Sequence, residues 1–344
     1  MRGMGMTKER PGIARLWMRE EDAIRCRLCP HGCLIKEGHA GICCVRKNVE
    51  GSLISLTYGK VASAAVDPIE KKPLFHFLPG TSTLSFGGIG CNFRCRHCQN
   101  HEISQASVES IPLQTIPPAD GVSMAKQSGA ESITWTYNEP TIWHEYALDM
   151  GTIARREGLS TIYVTNGYIT EEALDELAPM LTAFRVDIKA FNDDFYRKVC
   201  GGRLQPVLDA TIRAHEHGMH IETVSLIIPG VNDDPAEIDS LISWVIESLG
   251  PETPMHFTRY RPDYRMHHPP PTPVPRLEAI YERARELGLV YPYLGNVVGS
   301  AYTDTWCPSC NEHLIQRGGH AAHLTGLVGN RCGNCGHLIP VLLP

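Results

Sequence analysis

Between about residues 67 and 296 the chain alternates two periods. Six short runs rich in β-branched and aromatic residues, at 83–86, 132–136, 161–164, 183–188, 220–228 and 255–260, alternate with longer amphipathic stretches at 119–128, 142–157, 171–181, 204–217, 235–249 and 274–287. Parallel strands need a crossover of a dozen or more residues, and a helix is the usual one. The pattern predicts βαβ units on a parallel sheet, an α/β fold. Six units suit an open, partial (β/α)6 TIM-like barrel better than a closed eightfold one, although periodicity alone does not separate it from a doubly wound sheet. In both, ligand sites gather at the C-terminal ends of the strands.

The 344 residues exceed one typical domain. Apolar content of 42% and charged content of 20% exclude wholesale disorder. A net charge of -6 argues against a nucleic-acid binder that works through bulk charge. The N-terminus lacks the apolar core of a signal peptide, and no run approaches the roughly 18 apolar residues of a membrane helix. The expectation is a cytoplasmic protein with no membrane span. Thirteen cysteines fall mainly into three groups: 26 to 44, 91 to 98, and 307 to 335. A disulfide framework suits small secreted domains, so close Cys pairs here point to metal. The expected division is an N-terminal Cys-rich metal-binding segment (1–66), with β-like runs at 53–56 and 61–66, then a core domain (67–296), then a C-terminal metal-binding tail (297–344). The Pro-rich stretch 267–275 is a loop before the last helix.

The central group reads GGIGCNFRCRHCQN over 87–100. Cys91, Cys95 and Cys98 put three thiolates in one loop just past a predicted strand. Three thiolates can hold three irons of a cubane and leave the fourth for a small molecule with an amine and a carboxylate; a closed electron carrier has four. Gly87, Gly88 and Gly90 let the backbone turn sharply beside a cluster. The alternative is a zinc site completed by His97 or His101.

C-x3-C-x2-C after a Gly-rich strand end resembles the signature of the radical S-adenosylmethionine (SAM) superfamily, over roughly 76–296. The resemblance implies a [4Fe–4S] cluster on Cys91, Cys95 and Cys98, SAM on its open iron, and a flavodoxin- or ferredoxin-like electron donor. It also implies a 5′-deoxyadenosyl radical that takes hydrogen from substrate. Further segments resemble the glycyl-radical-enzyme activases, the pyruvate formate-lyase activating type. Asn138-Glu139-Pro140 stands where that branch has Gly-Gly-Glu-Pro near the SAM amino group; Tyr137-Asn138 replaces the glycine pair, so only the backbone contact carries over. Thr165-Asn166-Gly167, Asp187-Ile188-Lys189 and Ile228-Pro229-Gly230 are similar to its later segments. His97 replaces an aromatic residue whose backbone lies near the adenine. The implied SAM contacts are His97, Asn138, Glu139, Asn166, Asp187, Lys189 and Pro229. Read alone, each has a plainer role: Asn166-Gly167 a turn, Asp187 and Lys189 an ion pair, Glu139 a charge closing a helix N-terminus. Arg259, Tyr260 and Arg261 are contacts or rim residues, and Cys200 is a substrate-facing or an incidental buried thiol.

Cys26, Cys29, Cys33 and Cys43 can close a zinc site or hold an accessory Fe–S cluster, with His31 and His39 as alternative ligands and Cys43 favoured over Cys44. Cys307, Cys310, Cys332 and Cys335 form two Cys-x2-Cys knuckles, a zinc-ribbon or rubredoxin-like site for zinc or iron. A tail of 48 residues is too small for a sturdy core, so a metal staple is expected; His313, His320 and His323 are expected at its surface. The N-terminal CxxCPxxC, the segment DPIEKKPLFHFLPG (67–80) and GCNFRCRHCQNHEISQ (90–105) together resemble the AmmeMemoRadiSam-system radical SAM family. That resemblance implies Memo-like or AMMECR-like protein partners. Three functions follow as expectations: hydrogen abstraction from a protein or peptide, radical modification of a small molecule or cofactor precursor, and a non-catalytic Fe–S and zinc binding protein.

Overall fold

The structure is a computed structural model that describes residues 12–297, 299 and 301–344. Its centre is an eight-stranded sheet, numbered here in chain order: β1 (Ser63–Pro68), β2 (Ser82–Gly87), β3 (Ser132–Trp135), β4 (Ser160–Thr165), β5 (Ala183–Asp187), β6 (His220–Ile227), β7 (Met255–Arg259) and β8 (Pro292–Gly295). Spatial order follows chain order from edge to edge. The strand order therefore contains no reversal, the feature that defines a doubly wound sheet. β1 is antiparallel to β2, and the other seven strands are parallel. The helices are α1 (Pro118–Gln127), α2 (His144–Arg156), α3 (Glu171–Leu177), α4 (Gln205–Glu216), α5 (Pro235–Leu249) and α6 (Val274–Glu286).

Six β/α units are present, and two further strands join them. β1 overlaps a run that the sequence assigns to the N-terminal segment, so the sheet crosses position 66. β8 escapes the pattern because it is four residues long and opens with proline, which a sheet edge tolerates. Local chemistry sets the helix ends: Asp234 accepts from the Ala236 and Glu237 amides, Pro235 opens α5, and Gly250 follows it at φ +100°.

The register assigns the two faces of the sheet. Leu84, Phe86, Ile133, Trp135, Tyr163, Phe184, Val186 and Phe257 join the main apolar core that the helices cover. The alternate positions Thr83, Ser85, Thr134, Arg185, Glu222, His256 and Tyr293 share the other face, and they are buried too. Buried polar groups must find partners, and the 67–80 segment supplies them. Ile69, Leu74, Phe77 and Leu78 pack on Ile162, Val164 and Ala183. The Glu222 carboxylate accepts from the Phe75 amide at 2.9 Å and the His76 amide at 2.8 Å, and it bonds His220 (3.0 Å) and His256 (2.7 Å). Arg185 Nε donates to the Lys72 carbonyl at 3.0 Å.

The C-terminal tail packs behind this plug. Its strands Thr305–Trp306, His313–Gly318 and Ala321–Leu324 share a core with Phe75, Tyr291 and Tyr293. The Arg317 guanidinium lies 4.2 Å from the centre of the Phe75 ring and donates to the Phe75 carbonyl at 2.6 Å. At the N-terminus, a sheet of Trp17–Glu20, Ala23–Cys26 and Leu34–Lys36 docks beside the hairpin Arg46–Val49/Ser52–Ser55. Among the described residues no helix is long and apolar enough to cross a membrane.

Glu222→Ala is expected to cost about 3–5 kcal/mol, because it leaves two histidines and two amides buried without their acceptor. Thermal unfolding checks this. Burial alone would raise the Glu222 pKa, but its His220 and His256 bonds outweigh that and hold it below the ordinary carboxylate range. Its contribution is therefore present above about pH 4 and lost as pH falls, so the gap between wild type and variant narrows on acidification.

Candidate active site

β2 delivers the chain to the C-terminal edge of the sheet, where Gly87-Gly88-Ile89-Gly90 leads into the three cysteines. Gly90 sits at φ +81°, and a Cβ there would lie 2.5 Å from the Cys43 carbonyl oxygen. Asn138 holds this turn from the next strand: its Oδ1 accepts from the Gly88 amide at 3.1 Å, and its Nδ2 donates to the Gly90 carbonyl at 2.9 Å. Past Cys91, Asn92 Nδ2 donates to the Tyr168 carbonyl at 2.8 Å. The Arg94 and Arg96 amides donate to the carbonyls of Cys200 (2.7 Å) and Val199 (3.0 Å). The loop is thus fixed along its length by backbone and amide bonds.

The donor set suits an iron–sulfur cluster. Cys95 is buried, while Cys91 and Cys98 are partly exposed. Burial pushes the Cys91 and Cys98 thiols above their ordinary pKa, a cost that metal binding offsets. The Phe93 amide reaches the Cys91 sulfur at 3.3 Å, and Ser104 Oγ lies 3.2 Å from the Cys98 sulfur. Such bonds to sulfur tune a cluster's potential. Neither His97 nor His101 completes a tight single-ion site here: among the described residues, the group of ligand atoms lying within 4.8 Å of one another is the C-terminal cysteine quartet.

The Glu139 carboxylate is spent on the protein. It accepts from the Thr141 amide (2.9 Å), Thr165 Oγ1 (2.7 Å) and the Asn166 amide (2.8 Å), tying the end of β4 to the turn after β3. Burial raises its pKa, against these bonds. Asn166 Nδ2 donates to Asn92 Oδ1 at 2.9 Å, so Glu139 and Asn166 position the cysteine loop. Asp187 pairs with Arg185 and with Lys189 Nζ at 3.0 Å. His97 is buried, its Nδ1 has no partner, and burial lowers its pKa to about 3. A neutral ring fits a residue that serves through its backbone. Asn232, which the sequence reading missed, accepts from the Ile228 amide at 2.7 Å and donates to the Lys189 carbonyl at 2.6 Å. It joins the turn carrying Pro229 to that carrying Lys189. Tyr260 is buried, its hydroxyl bonded to the Met266 carbonyl, and Arg259 bonds the Thr272 carbonyl, whereas Arg261 is exposed. A groove of about 420 Å3 beside Pro30, Ile169 and α4 lies on the helical exterior and contains no cysteine.

A charged cluster holds the Tyr137 side chain on the inner face of the sheet. Asp67 on β1 bonds Lys71 (2.7 Å), Lys72 (2.6 Å) and the Tyr137 hydroxyl (2.5 Å). Lys72 is buried, 4.5 Å from the centre of the Tyr137 ring, and burial lowers its pKa to about 8 despite Asp67. Tyr137 adopts φ +72°, costly for a residue with a Cβ. It occupies a position where the activase pattern has glycine; Asp67 and Lys72 hold its side chain, and Asn100 Nδ2 donates to its carbonyl at 2.7 Å.

Cys200 is buried with its thiol against the Cys95 sulfur. Cys26, Cys29, Cys33 and Cys43 line one pocket, while Cys44 is exposed. His31 bonds the Asn92 carbonyl at 2.7 Å, and His39 bonds the Glu37 carbonyl at 2.9 Å. In the tail, the Cys307–Cys335 and Cys310–Cys332 sulfurs are each 3.6 Å apart. Tetrahedral zinc with bonds near 2.3 Å asks for about 3.8 Å. His320 and His323 are exposed, and His313 stacks on Trp306.

Two outcomes are expected. Asn138→Ala removes two bonds worth about 1 kcal/mol each, so iron retention after reconstitution should fall several-fold while circular dichroism stays native. Stripping metal from the tail should lower the melting temperature of the whole chain, because the tail's core includes Phe75, Tyr291 and Tyr293; equal melting curves with and without chelator would contradict this.

Residues 87–242 match the radical SAM superfamily. The uncharacterized protein MJ0808 of Methanocaldococcus jannaschii is 43% identical over 326 residues, 94% of this chain and 97% of that one. A GTP 3′,8-cyclase of Haemophilus influenzae is 24% identical over 75% of this chain and 79% of its own length. The pyruvate formate-lyase 1-activating enzyme of Escherichia coli is 21% identical over 45% of this chain and 65% of its own. The family match opens on Gly87, where the strand edge presents the cysteine loop, and this chain belongs to the radical SAM superfamily of enzymes.

Proposed function

We propose that the protein cleaves SAM reductively at a [4Fe–4S] cluster on Cys91, Cys95 and Cys98 and abstracts a hydrogen atom from a protein or peptide, in the manner of an activase. The observation that carries the SAM chemistry is the three-cysteine loop held at the C-terminal strand edge by Asn138, Asn92 and the Val199–Cys200 backbone. With cluster and SAM bound, one-electron reduction of the sulfonium supplies methionine and a 5′-deoxyadenosyl radical. The chain's own part is placement. Glu139 and Asn166 orient the loop, Asn232 joins the turns of Lys189 and Pro229, and Asp67 and Lys72 hold Tyr137 beside Gly87. His97, Asn138, Glu139, Asn166, Asp187, Lys189 and Pro229 remain the SAM-contact set, several of them through backbone.

The similarity to the activating enzyme supports a protein substrate. The longer similarity to the cyclase favours a small molecule as the second reading. Seven parallel strands in sequence order, each next to its chain neighbour, fit an open barrel. We assign zinc, or iron, to the C-terminal quartet, and Memo-like or AMMECR-like proteins and a flavodoxin- or ferredoxin-like donor as partners in the cytoplasm. The test is anaerobic reconstitution and quantification of 5′-deoxyadenosine. Wild type should form it, and Cys98→Ala should lower it at least about 100-fold. No cleavage by wild type would sink the SAM reading. A radical signal on an added partner protein supports the activase, and a modified small molecule with no protein requirement supports the alternative.

A further inference from the structure

The N-terminal cysteines differ in geometry from the C-terminal quartet. Cys26, Cys29, Cys33 and Cys43, with Arg46 and Ile142 among their neighbours, line one small apolar pocket. A single tetrahedral ion draws four sulfurs to about 3.8 Å of one another, as the C-terminal quartet shows. The N-terminal sulfurs are not gathered that way: among the described residues, only the C-terminal quartet falls within 4.8 Å. In a four-iron cubane each thiolate holds a different iron, so the ligands stand apart around a body instead of a point. Cys91, Cys95 and Cys98 share the looser arrangement.

Arg46 is a second, independent sign. It is 1% exposed and lines the pocket. Its Nη1 bonds both Glu145 oxygens at 2.9 Å, and its Nε has no partner. A buried cation with an unspent donor on the wall of a four-thiolate pocket complements an anionic cluster.

The pocket also spans from the surface to the cysteine loop. Its outer wall holds partly exposed Cys33 and exposed Ile42. On the inner side, the Cys43 carbonyl and Ile142 press on Gly90, one residue before Cys91. His31 bonds the Asn92 carbonyl, one residue after it.

We propose that this pocket holds a second [4Fe–4S] cluster that relays electrons to the first; the relay rests on the radical SAM reading above. A one-electron donor of the ferredoxin class docks at the outer wall and is oxidised. Its electron passes through the N-terminal cluster to the cluster on Cys91, Cys95 and Cys98 and reduces the SAM sulfonium, whose sulfur–carbon bond breaks to methionine and the 5′-deoxyadenosyl radical.

The test uses the full chain, reconstituted anaerobically with iron and sulfide. The triple variant Cys91→Ala/Cys95→Ala/Cys98→Ala should retain about four irons and four sulfides, roughly half the wild-type cluster iron. Its reduced EPR signal should not respond to SAM. Absence of acid-labile sulfide in this variant, or a second zinc per wild-type chain, overturns the proposal. Cys29→Ser/Cys33→Ser covers the case in which the triple variant fails to fold. It should lose about half the iron yet keep the SAM-responsive signal, and undiminished iron counts against the second cluster. For the relay, SAM cleavage driven by reduced ferredoxin should fall at least about tenfold more in Cys29→Ser/Cys33→Ser than cleavage driven by dithionite. Equal losses overturn the relay. Two wild-type clusters, neither responding to SAM, would leave the second cluster standing and remove the radical SAM reading instead.

Discussion

A sheet buried on both faces that carries charges on one of them must answer each charge from within. Here that face holds Arg185 and Glu222, with Asp187 at the C-terminal end of β5 and Asp67 opposite Thr83 near the start of β2. A buried carboxylate left alone costs several kcal/mol. The 67–80 segment resolves this by lying along the face, offering the amides of Phe75 and His76 to Glu222 and the Lys72 carbonyl to Arg185. At one end the same segment places Lys71 and Lys72 on Asp67, which also holds the Tyr137 hydroxyl. At the other, Phe75 and His76 receive Arg317 and Leu342 of the tail. One stretch thus fills the sheet's concealed face, anchors Tyr137 and docks the C-terminal cysteine domain.

That arrangement shows what sequence can and cannot carry. The six strand–helix pairs were legible because burial on the helix side imposes a period that survives in the residues themselves, as in Leu84 and Phe86 or Ile133 and Trp135. The cysteine loop was legible because three thiolates at fixed spacing have few other uses. The roles of Asn92, Asn138 and Asn232 were not. Each is a lone amide whose partners lie on other segments, such as Tyr168 for Asn92 and Lys189 for Asn232. No local pattern records a bond made across 76 or 43 positions. Glu139 illustrates the converse: the motif marked the residue, but its oxygens turn to Thr141, Thr165 and Asn166. Its place in the pattern reflects support of the loop as much as any contact through its side chain. β8 was lost because a four-residue edge strand that opens with proline leaves almost no periodic signal.

Tyr137 makes the sharpest distinction from the activase pattern. A left-handed non-glycine residue costs about 1–3 kcal/mol, and glycine at this position would avoid it. The chain nevertheless keeps a tyrosine, with its hydroxyl on Asp67 and its ring beneath Lys72. The ring also dictates its neighbour: a Cβ on Gly87 would stand 2.8 Å from a Tyr137 ring carbon. Gly87, Tyr137, Asp67 and Lys72 are therefore one unit, and replacing any one leaves the others strained or unpaired. Two of the four lie outside the motifs that the superfamily shares. Tyr137 sits where the turn after β3 meets the end of the cysteine loop, its carbonyl accepting from Asn100, while Asn138, the next residue, clamps the loop itself. The backbone strain at Tyr137 is thus set against its hydroxyl bond to Asp67, the Lys72 charge over its ring and the Asn100 bond to its carbonyl.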